Sequence, residues 1–484
     1  MVPSFALRSA AAVVLLITAG CAPSQPAATA PAYGAGPTAP PAPAGPVPSP
    51  PLDTKPGVPA PQPPIDPASM PKQRPIVLRA ARYFDGKSDR VVDGGVSILV
   101  VDGLLAEVAR GSVKAPPDAE TIDLGDVTLL PGFIDAHTHV TFEASDNFYR
   151  DEFEGLLRFP AEQAHYAASY ARKLLDAGFT TIRDLGSQDE LDVGLRNAIK
   201  KGLVPGPRIL AAVHGIGATG GHADSDPFPV ERVKPSGVLE GICNGPDECR
   251  AAVRSQIKYG ADVIKVMASG GVLSLADAVD APQLTQAELD AIVDEAHRLG
   301  RRVATHCHGD AAAKAAIAAG VDSIEHGSFL KPDTLALMKA RHVVLIPTLL
   351  AGEYTGHKLE RFPPAIQAKA KAALEARSQM FRDALRIGVT IGFGTDSAVS
   401  PHGINAQEFS LMTGLGMSPA QALRAATSVD AQLLGIAAQV GTLEKGKAAD
   451  VVAVPGNPLT DIRQTEHVVF VMRAGHVYKR PGAP

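Results

Sequence analysis

Short apolar runs alternate with amphipathic segments over residues 129–434 and predict a repeated strand–helix unit. The clearest helix starts at a capping box, Thr285-x-x-Glu288, shows apolar residues at helical spacing and ends at Gly300. Eight strand candidates lie between such helices: residues 128–134, 180–183, 209–213, 262–267, 303–306, 323–326, 343–347 and 389–394. This alternation predicts an α/β fold of the (β/α)8 TIM barrel type.

Strand-like runs without intervening helices lie on both sides of that region. Residues 76–78, 97–101 and 104–108 are broken by Asp-Gly turn signals, and residues 450–454 and 468–472 resume the pattern near the end. We expect the two flanks, 76–128 and 435–484, to pair into one small β-sandwich domain. The barrel then occupies residues 129–434.

The first 75 residues differ in composition from the rest. Residues 1–21 combine Arg8 with a short apolar stretch and end in Ala-Gly-Cys21, which is typical of a bacterial lipoprotein signal peptide with Cys21 lipidated. Thr18 stands where such sites favour an aliphatic residue, so plain secretion is the alternative. Residues 22–75 are rich in Pro and Ala and predict a disordered tether. The prediction is an exported protein, anchored to a membrane and facing the periplasm or cell exterior.

Composition and charge narrow the range of expected binding partners. Hydrophobic residues make up 45% of the 484-residue chain, and the net charge of −5 gives no reason to expect nucleic-acid binding. The oligomeric state stays open between a monomer and a homo-oligomer. In an oxidising compartment Cys243 and Cys249 form a disulfide or remain two free thiols. Cys307 is expected to face the helices as a small core residue.

Histidine and aspartate side chains end several predicted barrel strands, which is where the catalytic groups of such barrels lie. Four strand ends carry them: His137 with His139, His306 with His308, His326, and Asp396. The members of each histidine pair are two residues apart and therefore project to the same face of an extended chain. Imidazole and carboxylate groups at this density predict a site for zinc or a similar divalent ion.

Lys265 stands out because it interrupts an apolar strand, and its neighbours of opposite parity are apolar. It should therefore point into the barrel, where an unpaired ammonium is costly. One interpretation is a lysine that pairs with a nearby aspartate. The other is a lysine carboxylated by carbon dioxide, which would supply an anionic ligand between two metal ions.

Four segments resemble the amidohydrolase superfamily, and the similarity spans residues 76–480. Residues 131–139 (PGFIDAHTH) are similar to its first-strand signature, and residues 441–450 (GTLEKGKAAD) to its return into the small β-domain. Residues 178–184 (GFTTIRD) and 265–271 (KVMASGG) resemble the branch that contains imidazolonepropionases and Xaa-Pro, Xaa-Arg or Xaa-Lys dipeptidases. Imidazolonepropionases lack a bridging lysine, so Lys265 favours the dipeptidase side.

The resemblance implies a centre of two divalent metal ions, expected to be Zn²⁺. The implied ligands are His137, His139 and Asp396 for the more buried ion, His306 and His326 for the second, and N6-carboxylated Lys265 between them. Two such cations lower the pKa of a shared water and polarise the substrate carbonyl. Asp396 would act as general base and then general acid. His308 would hydrogen-bond the developing oxyanion or support a ligand.

Three loop residues are candidates for substrate contacts. His222 follows the third barrel strand, Tyr354 follows the seventh and could bind a carboxylate or pack in its loop, and His402 follows Asp396. The expected function is cleavage of an amide bond in a small dipeptide-like substrate or N-acyl amino acid. Esters, lactones or carbamates are the alternative. A non-catalytic binding lipoprotein would be expected to lose a ligand, whereas all six positions are occupied.

Overall fold

The computed structural model of the protein describes residues 59–60, 62–66, 68, 71–224, 229, 231–275 and 277–482. The predicted signal peptide with Cys21 and most of the predicted tether lie outside these residues. Within them, no helix combines the length and the apolar character that crossing a bilayer requires.

Strands occur in three groups along the described chain. The first group is β1 (Ile76–Phe84), β2 (Val91–Val101), β3 (Leu104–Arg110), β4 (Glu120–Asp123) and β5 (Val127–Pro131). The second is β6 (Phe133–Thr138), β7 (Phe179–Asp184), β8 (Arg208–Ala211), β9 (Val263–Met267), β10 (Arg302–Cys307), β11 (Ser323–His326) and β12 (Val344–Ile346). The third is β13 (Val451–Pro455), β14 (Phe470–Arg473) and β15 (His476–Lys479).

The first and third groups form a single sheet with strand order β15-β14-β13-β5-β1-β2-β3, and β4 pairs with β1 beside β5. The two flanks of the chain meet where β5 pairs antiparallel with β13, from Val451 opposite Pro131 to Pro455 opposite Val127. The predicted pairing of the flanks is therefore present. A β-sandwich is not confirmed, because β1 is long enough to pair with β4 along its first half and with β5 along its second, which joins all eight strands in one branched sheet.

The second group consists of parallel strands connected by helices. Strands β6, β7 and β8 form one sheet, and β12, β11, β10 and β9 form another. A single parallel bridge between Ile216 and Val266 links the first sheet to β9 of the second. On the other side, bridges from Leu345 to Ile391 and from Thr138 to Ser397 connect β12 and β6 to residues that belong to neither sheet. The mixed α/β architecture agrees with the prediction, whereas the hydrogen-bonded ladder of a closed eight-stranded barrel is not continuous.

Two predicted barrel strands differ from the observed ones. Residues 128–134 form two strands, β5 in the flanking sheet and β6 among the parallel strands. The break falls at Gly132, where any Cβ would overlap the side chain of Thr180. Residues 389–394 form no strand beyond a single bridge from Ile391 to Leu345. The amide of Phe393 there donates to the carboxylate of Asp430 at 3.2 Å instead of to a neighbouring strand.

Helices cover the parallel strands and fill the connections between them. They are α1 (Phe148–Leu157), α2 (Pro160–Asp176), α3 (Leu191–Lys200), α4 (Pro246–Tyr259), α5 (Gln286–Arg298), α6 (Asp310–Ala319), α7 (Pro332–Arg341), α8 (Leu349–His357), α9 (Pro364–Ile387), α10 (Gln407–Gly414), α11 (Pro419–Arg424) and α12 (Asp430–Leu433). The predicted capping box starts α5, where Thr285 accepts a hydrogen bond from the amide of Glu288. The apolar face of α5 is buried.

The cysteines resolve the alternative that the sequence left open. Cys243 and Cys249 are joined by a disulfide. Cys243 lies in the loop before α4, and Cys249 lies in the first turn of that helix. Cys307 is a free, buried thiol in the main hydrophobic core, as expected from its parity in β10.

Candidate active site

The end of β6 brings two histidines to one carboxylate. Nε2 of His137 lies 3.4 Å from Oδ1 of Asp396, and Nε2 of His139 lies 3.3 Å from the same oxygen. Asp396 reaches this position because its backbone is left-handed (φ 56°) and its amide donates to the carbonyl of His137. These three predicted ligands therefore converge, although Asp396 lies about 260 residues after the two histidines in the chain.

A second cluster lies beside the first at the ends of β10 and β11. Ligand atoms of His306, His308 and His326 lie within 4.8 Å of one another, and His326 also belongs to a group with His137 and Asp396. His326 has a left-handed backbone (φ 70°), and this turn at the strand end directs its ring to the site. The geometry alone would admit His308, predicted as an oxyanion donor, as a further ligand.

Lys265 points from β9 to the space between the two clusters. Its Nζ lies 3.5 Å from Nε2 of His137, and the side chain is buried. The direct polar contact of this ammonium is to the imidazole, and the nearby carboxylates of Glu325 and Asp396 favour its charged form. Burial lowers the pKa of Lys265 to about 8.

The outward nitrogen of each histidine ligand candidate is held by an oxygen atom. Nδ1 of His139 lies 3.1 Å from the carbonyl of Gly186, and Nε2 of His306 lies 3.2 Å from the carbonyl of Gly270. The remaining two pairs are Nδ1 of His326 with Oγ1 of Thr348 at 2.7 Å, and Nδ1 of His137 with Oε2 of Glu325 at 2.9 Å. Such partners fix the tautomer and leave the other ring nitrogen available for a metal ion.

The electrostatics of the site suit cation binding. Burial lowers the pKa of His137 to about 4 and that of His308 to about 3, and it holds the pKa of His306 and His326 well below the usual value. These imidazoles are therefore neutral near pH 7 and keep a lone pair to donate. Burial opposes ionisation of Asp396, but His137 and His139 outweigh it and hold the pKa of this carboxyl below its usual value. The donor set thus fits divalent metal ions.

A cavity of about 250 Å³ opens onto the two clusters. Most of its wall is apolar: Phe142, Ala144, Met267, Val272, Leu273, Pro347, Ala351, Ala370, Ala373, Leu374, Ala398 and Val399. His222 lines it as predicted for a substrate contact, and its ring centroid lies 4.3 Å from that of His306. Arg377 also lines the cavity, and its guanidinium pairs with Oε2 of Glu353 at 2.9 Å and donates to the carbonyl of Leu349.

The structure does not bring the other two predicted substrate residues to this cavity. Tyr354 lies on α8 with its ring beneath the ammonium of Lys358, at 3.9 Å. His402 does not line the cavity, because its Nε2 is hydrogen-bonded to the carbonyl of Phe142 at 2.7 Å and its ring packs against that of Tyr170, with centroids 4.7 Å apart. His402 therefore supports a residue of the cavity wall instead of contacting the space itself.

Comparison with known proteins identifies the family. Residues 128–479 match the profile of the amidohydrolase family. The chain belongs to this family. This amidohydrolase is 35% identical to the ochratoxinase of Aspergillus niger over 373 residues, which cover 73% of the chain and 76% of the fungal protein. The prediction of a hydrolase of carbon–nitrogen bonds is confirmed at the level of the family.

Other relatives agree with the predicted branch. A solved structure of a Xaa-Pro dipeptidase with bound methionine is 38% identical, with a TM-score of 0.80, and the alignment covers 84% of this amidohydrolase and 100% of that chain. The imidazolonepropionase of Symbiobacterium thermophilum is 27% identical over 395 residues, which cover 76% of this chain and 85% of that protein.

The sequence patterns did not identify two residues of this amidohydrolase site. Glu325 is fully buried and contacts both His137 and Arg183, whose Nη2 lies 2.9 Å from Oε1 of Glu325. The signal was an acidic residue inside a predicted barrel strand, directly before a candidate ligand. Arg377 lies on α9, far from any predicted strand end, and no local pattern marked it.

Proposed function

We propose that this amidohydrolase holds two zinc ions and hydrolyses an amide bond. His137, His139 and Asp396 would hold the first ion, His306 and His326 the second, and carboxylated Lys265 would lie between them. The observation that carries the proposal is the convergence of these six side chains, each histidine with its outward nitrogen already held. In this proposal the two parallel sheets are the walls of one (β/α)8 barrel.

The bound ions would supply a water of lowered pKa and polarise the substrate carbonyl. The chain's own contribution is proton transfer and charge stabilisation. Asp396, ionised at neutral pH, accepts the proton of the attacking water and later delivers it to the departing amine. His308 is neutral, and its Nδ1 is held by Oγ of Ser328 at 2.9 Å. It can therefore donate from Nε2 to the developing oxyanion only where Ser328 donates to Nδ1.

The cavity supports a substrate with an apolar group and a carboxylate. Its wall is largely aliphatic and aromatic and also includes Arg377, whose guanidinium would be shared between Glu353 and a substrate carboxylate. The guanidinium fits beside α8 because residue 352 is glycine, where a Cβ would overlap Nη1 of Arg377. We therefore propose an apolar dipeptide or N-acyl amino acid, consistent with relatives named as a dipeptidase and an ochratoxinase.

Metal-dependent turnover tests this function. Protein stripped with a chelator and reloaded with zinc would be assayed on Xaa-Pro dipeptides, N-acyl amino acids and ochratoxin, beside esters and lactones of matched size. We expect amide cleavage only after reloading, and a loss of about 10²–10⁴-fold in Asp396→Asn. Ester or lactone turnover without amide turnover would replace the proposal with the alternative substrate class.

We also propose that the protein is exported and anchored through Cys21. The Cys243–Cys249 disulfide supports export, because such bonds persist mainly in oxidising compartments. Metabolic labelling with a radioactive fatty acid tests the anchor. Label in the wild type and its absence in Cys21→Ser is the expected result, whereas an unlabelled, released wild type would show plain secretion.

A further inference from the structure

The connection between β9 and α5 forms one wall of the site, and two of its glycines contact site histidines. The carbonyl of Gly270 holds Nε2 of His306 at 3.2 Å. Gly271 lies so close to the ring of His222 that a Cβ at position 271 would overlap it. The placement of both imidazoles therefore depends on the backbone of this connection.

Lys369 is hydrogen-bonded to the backbone of this connection. It reaches from α9 and donates to the carbonyls of Gly271 at 2.7 Å and Ser274 at 2.6 Å. Its Nζ also lies 3.1 Å from Oδ1 of Asp277, and the two side chains are only 13% and 7% exposed. An ammonium with three N–H donors is thus fully used at a place with little access to water.

Asp277 connects Lys369 to residues that lie closer to the cavity. Its Oδ2 accepts from the amide of Gly271 at 3.0 Å and from Nε2 of Gln283 at 2.9 Å. Oε1 of Gln283 in turn accepts from the amide of His222 at 2.9 Å. One continuous set of hydrogen bonds therefore runs from Lys369 through Asp277 and Gln283 to His222.

We propose that Lys369 is a positioning residue of the active site. It fixes the 270–283 connection so that Gly270 orients His306 towards the second metal ion and His222 stays at the substrate. Lys369 does not line the cavity and acts through Asp277 and the backbone. This inference rests on the proposed function, since it gives the two histidines their roles.

The test compares Lys369→Met with Lys371→Met, a change at an exposed lysine on the same helix. Zinc release to a chelator and the separate values of kcat and KM would be measured for both. We expect Lys369→Met to lose one of two zinc ions about 10-fold faster and to raise KM. The size of the first effect is that of other substitutions of residues that orient a metal ligand. Lys371→Met should match the wild type in both measurements.

Asp277→Asn gives an independent measurement, because it removes the charge and keeps the side-chain shape. The same loss is expected, and the double variant should lose little more than either single one, since both act through one set of bonds. Lys369→Arg should recover part of the zinc retention. Wild-type zinc retention and KM in either single variant would overturn the inference, as would additive losses. A wild type that binds no zinc would instead refute the proposed function.

Discussion

The carboxylate of Glu325 lies 2.9 Å from Nδ1 of His137, and both side chains are buried. Arg183 pairs with the other oxygen of the same carboxylate at 2.9 Å. Burial opposes the charge, but Arg183 and His137 lower the pKa of Glu325 to about 2. Glu325 is therefore an ionised acceptor that directs Nε2 of His137 towards the proposed metal site.

Replacing Glu325 with glutamine should weaken zinc binding about 10–100-fold, because an amide can donate to Nδ1 and favour the wrong tautomer of His137. It should also cost about 3–5 kcal/mol of folding stability, since Arg183 is left as an unpaired buried cation. Chelator competition and urea denaturation measure the two effects. Glu375→Gln, at an exposed position of α9, is the control. Unchanged zinc affinity in Glu325→Gln would show that His137 does not bind metal in the proposed way.

Lys265→Ala should retain at most one tightly bound zinc ion and lose amide hydrolysis, because it removes the anionic group proposed to lie between the two ions. Zinc content by mass spectrometry and turnover on the same preparation check this. Lys258→Ala, at an exposed lysine near the end of α4, should behave as the wild type. Two zinc ions and full activity in Lys265→Ala would exclude the bridging role.

The pH dependence of reloading follows from the same lysine. Burial lowers the pKa of Lys265 to about 8, and only the neutral amine reacts with carbon dioxide. At a constant concentration of dissolved carbon dioxide, the rate at which stripped protein regains zinc should therefore rise as the pH increases through about 8 and level off above it. Stopped assays from pH 6.5 to 9.5 measure the rate. A rate independent of both pH and bicarbonate would contradict carboxylation.

The positions of the candidate ligands could be predicted because they depend on local rules. His137 and His139 needed only the alternation of a strand, and their position at its end needed only the strand–helix pattern. The contact between Glu325 and His137 could not be predicted in the same way. It depends on the register of β11, which places Glu325 opposite His306 on the neighbouring strand β10. That register depends on contacts between distant parts of the chain.

The cavity wall was the least predictable part of the site. Arg377 reaches it from α9 across α8, where Gly352 leaves the necessary space. Tyr354 was a candidate either for a substrate contact or for packing in its loop. Thr348 adopts a left-handed backbone (φ 48°) directly before α8, and the helix that follows places Tyr354 outside the cavity wall. Neither the path of α8 nor the reach of α9 follows from hydrophobic periodicity.

The disulfide should contribute to stability. Joining Cys243 to Cys249 closes a short loop, for which chain entropy predicts about 2 kcal/mol. Urea denaturation with and without a thiol reductant should therefore show a lower midpoint under reducing conditions. A Cys243→Ser, Cys249→Ser double variant should already have that lower midpoint and respond no further. Cys307→Ala should keep the full response to the reductant, and a wild type without any response would show that the bond does not form in solution.

Arg377 should determine how tightly a substrate with a free carboxylate binds. A charge-assisted hydrogen bond contributes about 1.5–3 kcal/mol, so Arg377→Met should raise KM about 10–100-fold with a smaller change in kcat. The most direct test compares one dipeptide with its C-terminal amide. The wild type should have a lower KM for the free acid, whereas Arg377→Met should have similar KM values for both. Arg382→Met, at an exposed arginine on the same helix, is the matched control. An unchanged preference for the acid in Arg377→Met would assign the carboxylate to another donor in the site.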